Sequence, residues 1–219
     1  MGYSIAIDGP AGAGKSTIAK KIAKQLGFIY VDTGAMYRAM ALHILQKGIS
    51  TEEEGAISKA CLDADISISY EKGEQVVWLN GENVSGMIRT EEVGNMASVS
   101  SANKDVREKL VSLQQKLAET ADVVMDGRDI GTCVLPKADV KVYLTASTAV
   151  RAKRRYDELV AKKESCSLEQ IEQDIIERDE RDMNREISPL RQAEDAVLLD
   201  SSQLTIEEVV EKIISMVKR

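Results

Sequence analysis

The sequence predicts an α/β fold, a five-stranded parallel sheet with helices on both faces and one small antiparallel β insertion. Three observations lead there. Short apolar runs alternate with amphipathic helical stretches, the pattern of a parallel sheet. The stretch GPAGAGKST at residues 9–17 fits a P-loop and lies between one such run and one such helix. Residues 66–79 instead alternate β-formers around a Lys72-Gly73 turn, as an antiparallel hairpin does.

The elements follow in order. Ser4 to Asp8 is an apolar strand, and the helix from Thr17 buries Ile18, Ala19, Ile22, Ala23 and Leu26 before stopping at Gly27. Phe28 to Val31 reads as a second strand, turning through Asp32, Thr33 and Gly34 into a helix that closes at Gly48. Thr51, followed by three glutamates, resembles the N-cap of a helix running toward Asp63. After the hairpin, helices are expected from Glu91 to Ser101 and from Asn103 to Glu119. Val123 to Asp126, Val140 to Leu144 and Ala196 to Leu199 supply three more strands. Two charged helices precede the last of these, and an amphipathic helix from Thr205 to Lys218 closes the chain.

Composition excludes several classes. A net charge of -7 over 219 residues argues against sequence-independent nucleic-acid binding, which needs a basic field. No apolar run approaches the length of a membrane span and no signal peptide precedes the first strand, so a soluble protein of a reducing cytoplasm is expected. Cys61, Cys133 and Cys166 have neither disulfide-framework nor zinc spacing. His43 is the only histidine and lies inside a helix, as a surface or packing residue, which leaves no Ser/His/Asp chemistry. A monomer is the default.

The candidate chemistry is that of phosphates. In Gly9, Pro10, Ala11, Gly12, Ala13, Gly14, Lys15, Ser16 and Thr17, small residues let backbone N–H groups curl around phosphate oxygens. Lys15 reaches the β- and γ-phosphates, and the Ser16 hydroxyl is placed for Mg²⁺. Asp126 ends a strand beside this loop, where a carboxylate holds magnesium or its water shell, although Asp32 competes for that place. Arg128 and Asp129 follow in a loop at the carboxyl edge of the sheet, the usual ligand side. On the charged helices, Arg151, Arg154 and Arg155 share a face, as do Arg178, Arg181, Asp182 and Arg185. The acids Glu177, Asp179 and Glu180 fall on other sides, leaving an arginine stripe that needs an anion. Together these features describe phosphoryl transfer.

The chain closely resembles the bacterial cytidylate kinase family over essentially its whole length. The resemblance is carried by IDGPAGAGKST, DTGAMYR at 32–38, IRTEEV at 88–93, DGRDIGT at 126–132 and ERDERDMNR at 177–185. It implies a P-loop kinase fold that moves the γ-phosphoryl of ATP to CMP or dCMP with Mg²⁺. A single domain is implied, with its core at about 1–64, 103–147 and 189–219, an acceptor-binding insertion at about 65–102 and a lid at about 148–188. The resemblance further implies that Thr33, Arg38 and Arg128 contact the acceptor, that Ser98, Arg107 and Asp129 read cytosine, and that Asp182 and Arg185 hold the ribose. Arg178 and the stripe from Arg151 to Arg155 would close over the phosphates, with Arg154 on the ATP side and Arg181 in catalysis. Other small P-loop kinases, of a different monophosphate or of shikimate, share much of this pattern. A GTPase-like switch would carry an NKxD motif, which the chain lacks.

Overall fold

The computed structural model describes residues 2–218, which form two compact units. One comprises the chain up to Tyr30 and from Ala121 onward; the other is Val31–Thr120.

The first unit is built on the parallel sheet. The strands of that sheet are β1 (Ser4–Asp8), β2 (Ile29–Asp32, of which Ile29 and Tyr30 belong to this unit), β6 (Val123–Gly127), β7 (Val140–Thr145) and β8 (Val197–Asp200), in the order β2-β6-β1-β7-β8. β1 pairs parallel with both β6 and β7, with Ile7 opposite Asp126 on one side and Val142 on the other. Every residue of β1 is buried, as a central parallel strand requires. Helices α1 (Lys15–Leu26) and α8 (Ile206–Ile214) cover this sheet, and Ile18, Ile22, Val209, Val210 and Ile213 join Ile5, Ile7, Val142 and Leu144 in one core. α8 starts in a full capping box in which Thr205 and Glu208 bond reciprocally. It ends at Ile214, short of the Lys218 that its periodicity suggested. Helices α6 (Thr148–Ala161) and α7 (Leu168–Asn184) pack on one another through a small cluster of Ala152, Ile171 and Ile175.

The second unit holds α2 (Thr33–Gln46), α3 (Glu54–Asp63), α4 (Glu91–Ser100) and α5 (Lys104–Thr120). With them is an antiparallel sheet of β3 (Ile66–Glu71), β4 (Glu74–Leu79) and β5 (Glu82–Asn83). α2, α3 and α5 group with the hairpin in this unit. The reason is packing, since α2 lies against α4 and β4, and α3 against α5.

Several boundaries moved for local reasons. α1 begins at Lys15 because Gly14 is the left-handed residue (φ 86°) that ends the loop. α2 begins at Thr33, with Asp32 as a true N-cap accepting the Ala35 N–H at 2.9 Å. The expected cap at Thr51 does not form, because the Glu53 carboxylate turns back to accept the Ser50 N–H at 2.8 Å and the helix starts at Glu54. His43 is buried on α2 rather than on its surface, and burial, followed by nearby Lys47, pulls its pKa down and keeps the ring neutral.

Candidate active site

The phosphate-binding loop leaves β1 through Gly9, whose φ of 151° is open to glycine alone. A Cβ there would stand 1.9 Å from the Leu144 carbonyl oxygen on β7, so the loop is pressed against the neighbouring strand. At its far end α1 opens on Gly14 with no side-chain cap and no acidic residue in its first turn. Its N-terminal N–H groups and the positive end of the helix dipole are therefore left for an external anion.

Lys15 is buried in this loop, its Nζ donating to the Pro10 carbonyl at 2.8 Å. Burial, and after it the Arg128 charge, pulls its pKa down to about 7, while Asp126 pulls the other way. A triphosphate against the loop would add negative charge beside it and favour the ammonium form. Beside it the Ser16 hydroxyl donates to Asp126 Oδ2 at 2.8 Å, and the Tyr30 hydroxyl donates to Oδ1 at 2.8 Å. The Asp126 carboxylate is thus oriented from both sides. Asp32, its competitor, caps α2 and takes Arg89 at 3.0 Å.

A second loop follows Asp126. Arg128 donates through Nε to Asp182 Oδ2 at 2.7 Å, and Arg185 approaches both Asp129 and Asp182 at 3.8 Å. Burial works against the Asp182 charge, but Arg128, with Arg178 and Arg185, outweighs it and holds the carboxyl below the usual range. This loop closes in a single π-turn, Ile130–Val134, whose first two N–H groups are gripped by Asp8. Ile130 donates to Asp8 Oδ1 at 2.8 Å and Gly131 to Oδ2 at 2.7 Å. Burial pushes the Asp8 pKa up to about 6 in spite of those two bonds.

The structure therefore brings Lys15, Ser16, Asp126, Arg128, Asp129, Arg178, Asp182 and Arg185 into one network within the first unit. Other residues are placed differently. Arg181 is exposed on α7. Arg154 donates to the Ser201 carbonyl at 2.7 Å, and Arg155 is an exposed partner of Glu158. Arg151 is buried against Asp179. The expected self-repelling stripe is thus corrected: Asp179, expected on another side, turns inward onto Arg151, while Asp182, expected on the arginine face, pairs with Arg128.

In the second unit Thr33 is buried at the start of α2, and Arg38 is half-buried one turn on. Arg107 is buried on α5, with its guanidinium over the Tyr37 ring at 5.4 Å and donating to the Ser101 carbonyl at 3.0 Å. The Ser98 hydroxyl is buried and has no hydrogen-bond partner among the described residues. An orphaned buried hydroxyl is what a polar ligand would satisfy.

Sequence reasoning missed Asp8, Tyr30 and Asp179. Asp8 had a signal in its place directly before the loop glycine, whereas Tyr30 and Asp179 are defined by partners distant in the chain.

The model of the cytidylate kinase family matches residues 5–219. The chain belongs to the cytidylate kinase family. Among its relatives, a cytidylate kinase of Caldicellulosiruptor bescii is 50% identical over 213 residues, covering 97% of this chain and 94% of its own. The cytidylate kinase of Bacillus subtilis is 47% identical over 216 residues, covering 99% and 96%. An uncharacterized protein from Eubacterium ventriosum superposes with a TM-score of 0.52 at 13% identity, covering 98% of this chain and 97% of that one, which speaks to the fold alone. No helix among the described residues is long and apolar enough to cross a membrane.

Proposed function

We propose that this cytidylate kinase family member transfers the γ-phosphoryl group of ATP to CMP and dCMP, giving CDP and dCDP. The observation that carries the reading is the tip formed by Arg128 and Asp129, wired to α7 through Asp182 and Arg185 and within electrostatic reach of Lys15.

The chemistry follows from that arrangement. Loop amides from Gly12 to Thr17 and the Lys15 ammonium bind the donor phosphates, which add negative charge beside this buried lysine. The oxygen set of Ser16 and Asp126 suits Mg²⁺, which keeps few protein ligands and completes its shell with phosphate and water. No group of three or more His, Cys, Asp or Glu side chains among the described residues forms a metal cage, so those phosphates are needed. Bound there, Mg²⁺ would neutralise charge on the β- and γ-phosphate oxygens. Arg128 and Arg178 stabilise negative charge that spreads over the transferred group. The acceptor phosphate is already anionic at neutral pH, so no general base is required, and the buried neutral His43 is not called upon.

For the acceptor, the reading assigns the phosphate to Thr33, Arg38 and Arg128, and the ribose to Asp182 and Arg185. Asp129, Arg107 and Ser98 read the base. Cytosine presents an amino donor at N4 and acceptors at N3 and O2, complementary to a carboxylate and a guanidinium, and uracil reverses the first two. Arg154 lies on the ATP side, and Arg181 is the one assigned residue that would have to turn inward. The same reading makes the protein a monomer of a reducing cytoplasm, and its three free cysteines support the compartment.

The test is ADP formation with CMP, dCMP, UMP, AMP, GMP and shikimate. Preference for CMP and dCMP is expected, and turnover led by any other acceptor overturns the reading.

A further inference from the structure

Helices α6 and α7 reach the phosphate-binding loop through one ion pair. Arg151, in the first turn of α6, and Asp179, near the end of α7, are 5% and 7% exposed and meet at 2.6 Å. Between them they hold Ala11. The Arg151 Nη1 that bonds Asp179 also donates to the Ala11 carbonyl at 2.8 Å, and the Ala11 N–H donates to Asp179 Oδ1 at 3.1 Å. The remaining guanidinium donors go to the Ala146 carbonyl at 2.9 Å and the Thr148 hydroxyl at 3.1 Å, so the fork is fixed in its own helix. A Cβ on Gly12 would stand 3.3 Å from the Arg151 Cβ, which places the stem of that side chain against the next loop residue.

We propose that Arg151 and Asp179 are positioning residues for the phosphoryl donor, a clasp that sets the direction of the P-loop amides. The argument is geometric. The Ala11 carbonyl and the Gly12 N–H belong to one planar peptide and point in opposite directions, so pinning the carbonyl on Arg151 aims the Gly12 N–H away from it. The Ala11 N–H belongs to the preceding peptide, and Asp179 pins that one. Two consecutive peptide planes are thereby fixed before any ligand binds, which removes an ordering cost from donor binding. The charges matter equally. An isolated aspartate here would repel a triphosphate and an isolated arginine would draw it out of register, whereas the pair is neutral and shapes the loop without competing for its ligand.

The inference rests on the functional reading only in taking the donor to be a nucleoside triphosphate, and its test needs no turnover. Calorimetry would measure the Kd of inorganic tripolyphosphate with Mg²⁺, and separately of CMP, for the unmodified protein, Asp179→Asn, Arg151→Lys and the double variant. Thermal melts monitor the fold. Asp179→Asn is expected to weaken tripolyphosphate about tenfold, ~1.4 kcal/mol, with the CMP Kd changed by less than about twofold. The double variant should lose no more than the worse single one, because either change opens the same clasp. Tripolyphosphate affinity within about twofold of the unmodified protein in a folded Asp179→Asn variant would overturn the proposal, as would additive losses or equal weakening of both ligands. Asp179→Asn leaves the Arg151 charge buried with no carboxylate, so if that variant does not fold, Arg151→Lys decides in its place. It keeps the charge but gives up the fork, and the same two outcomes support or overturn the clasp. Tripolyphosphate has no base and accepts no phosphoryl group here. A protein that binds it as predicted but ignores CMP would refute the functional reading and leave the clasp standing.

Discussion

Replacing Asp8 by asparagine should remove a pH dependence from folding stability. In the native protein burial raises this carboxyl to about 6, against an ordinary 3.8. Between those two values the folded state holds the proton and the unfolded chain does not. Stability from this group is therefore fully present below pH ~4 and is lost as pH rises through ~6. A shift of about two units corresponds to on the order of 3 kcal/mol. Asparagine offers one oxygen to the two N–H groups of Ile130 and Gly131, leaving one donor facing an NH₂ group, which costs about 1–3 kcal/mol. That cost does not depend on pH and cancels when two pH values are compared. Asp182 has the opposite sign, since its depressed pKa gives stability present above the unfolded value and lost on acidification, but it is common to both proteins. Urea unfolding followed by circular dichroism at intervals from pH 4 to pH 7 gives the comparison. The stability of Asp8→Asn relative to the unmodified protein should rise by about 3 kcal/mol across that range. A difference that stays flat with pH would refute the reasoning, because it would mean that Asp8 is not held as a desolvated acid.

Other outcomes follow from the same geometry. Lys15, pulled down to about 7, should be driven back to its protonated form by a triphosphate, so Mg-ATP binding at pH 7 should be accompanied by net proton uptake. Calorimetry in two buffers of different ionisation enthalpy reads that uptake, and a value of zero would contradict it. Asp129→Ala should lower kcat/KM for CMP by about tenfold or more relative to UMP while the Kd for ATP is little changed, because the carboxylate reads the acceptor base. Unaltered CMP-to-UMP selectivity would sink that assignment. Leu110, wholly buried on α5, should cost about 2–5 kcal/mol when truncated to alanine, seen as a lower urea midpoint, and a loss below about 1 kcal/mol would show that its surroundings collapse to fill the space.

Local signals carried much of the fold. Gly9, Gly14 and Lys15 mark the loop because the backbone there needs glycine and an anion-facing helix start, and both demands are written in neighbouring residues. β1 and α1 were legible for the same reason: continuous burial and a 3.6-residue apolar period are local properties. The hairpin turn at Lys72 and Gly73 was legible too, since both residues take positive φ. Other features depend on partners far along the chain. ERDERDMNR offers two arginine-bearing faces of similar composition, and Asp179 turns inward because Ala11, 168 positions earlier, presents an N–H to it. Asp8 and Tyr30 read as an ordinary strand end and an ordinary strand residue until β6 and the π-turn are placed beside them. Helical offsets put side chains on a common face, but they do not say which face meets the rest of the protein.

The most direct measurement is the fate of a labelled γ-phosphoryl group. With γ-labelled ATP and unlabelled CMP, label should appear in CDP in one-to-one proportion with ADP, and ATP consumption should fall sharply when CMP is withheld. Label accumulating as inorganic phosphate, or ATP consumed equally with and without CMP, would contradict the account.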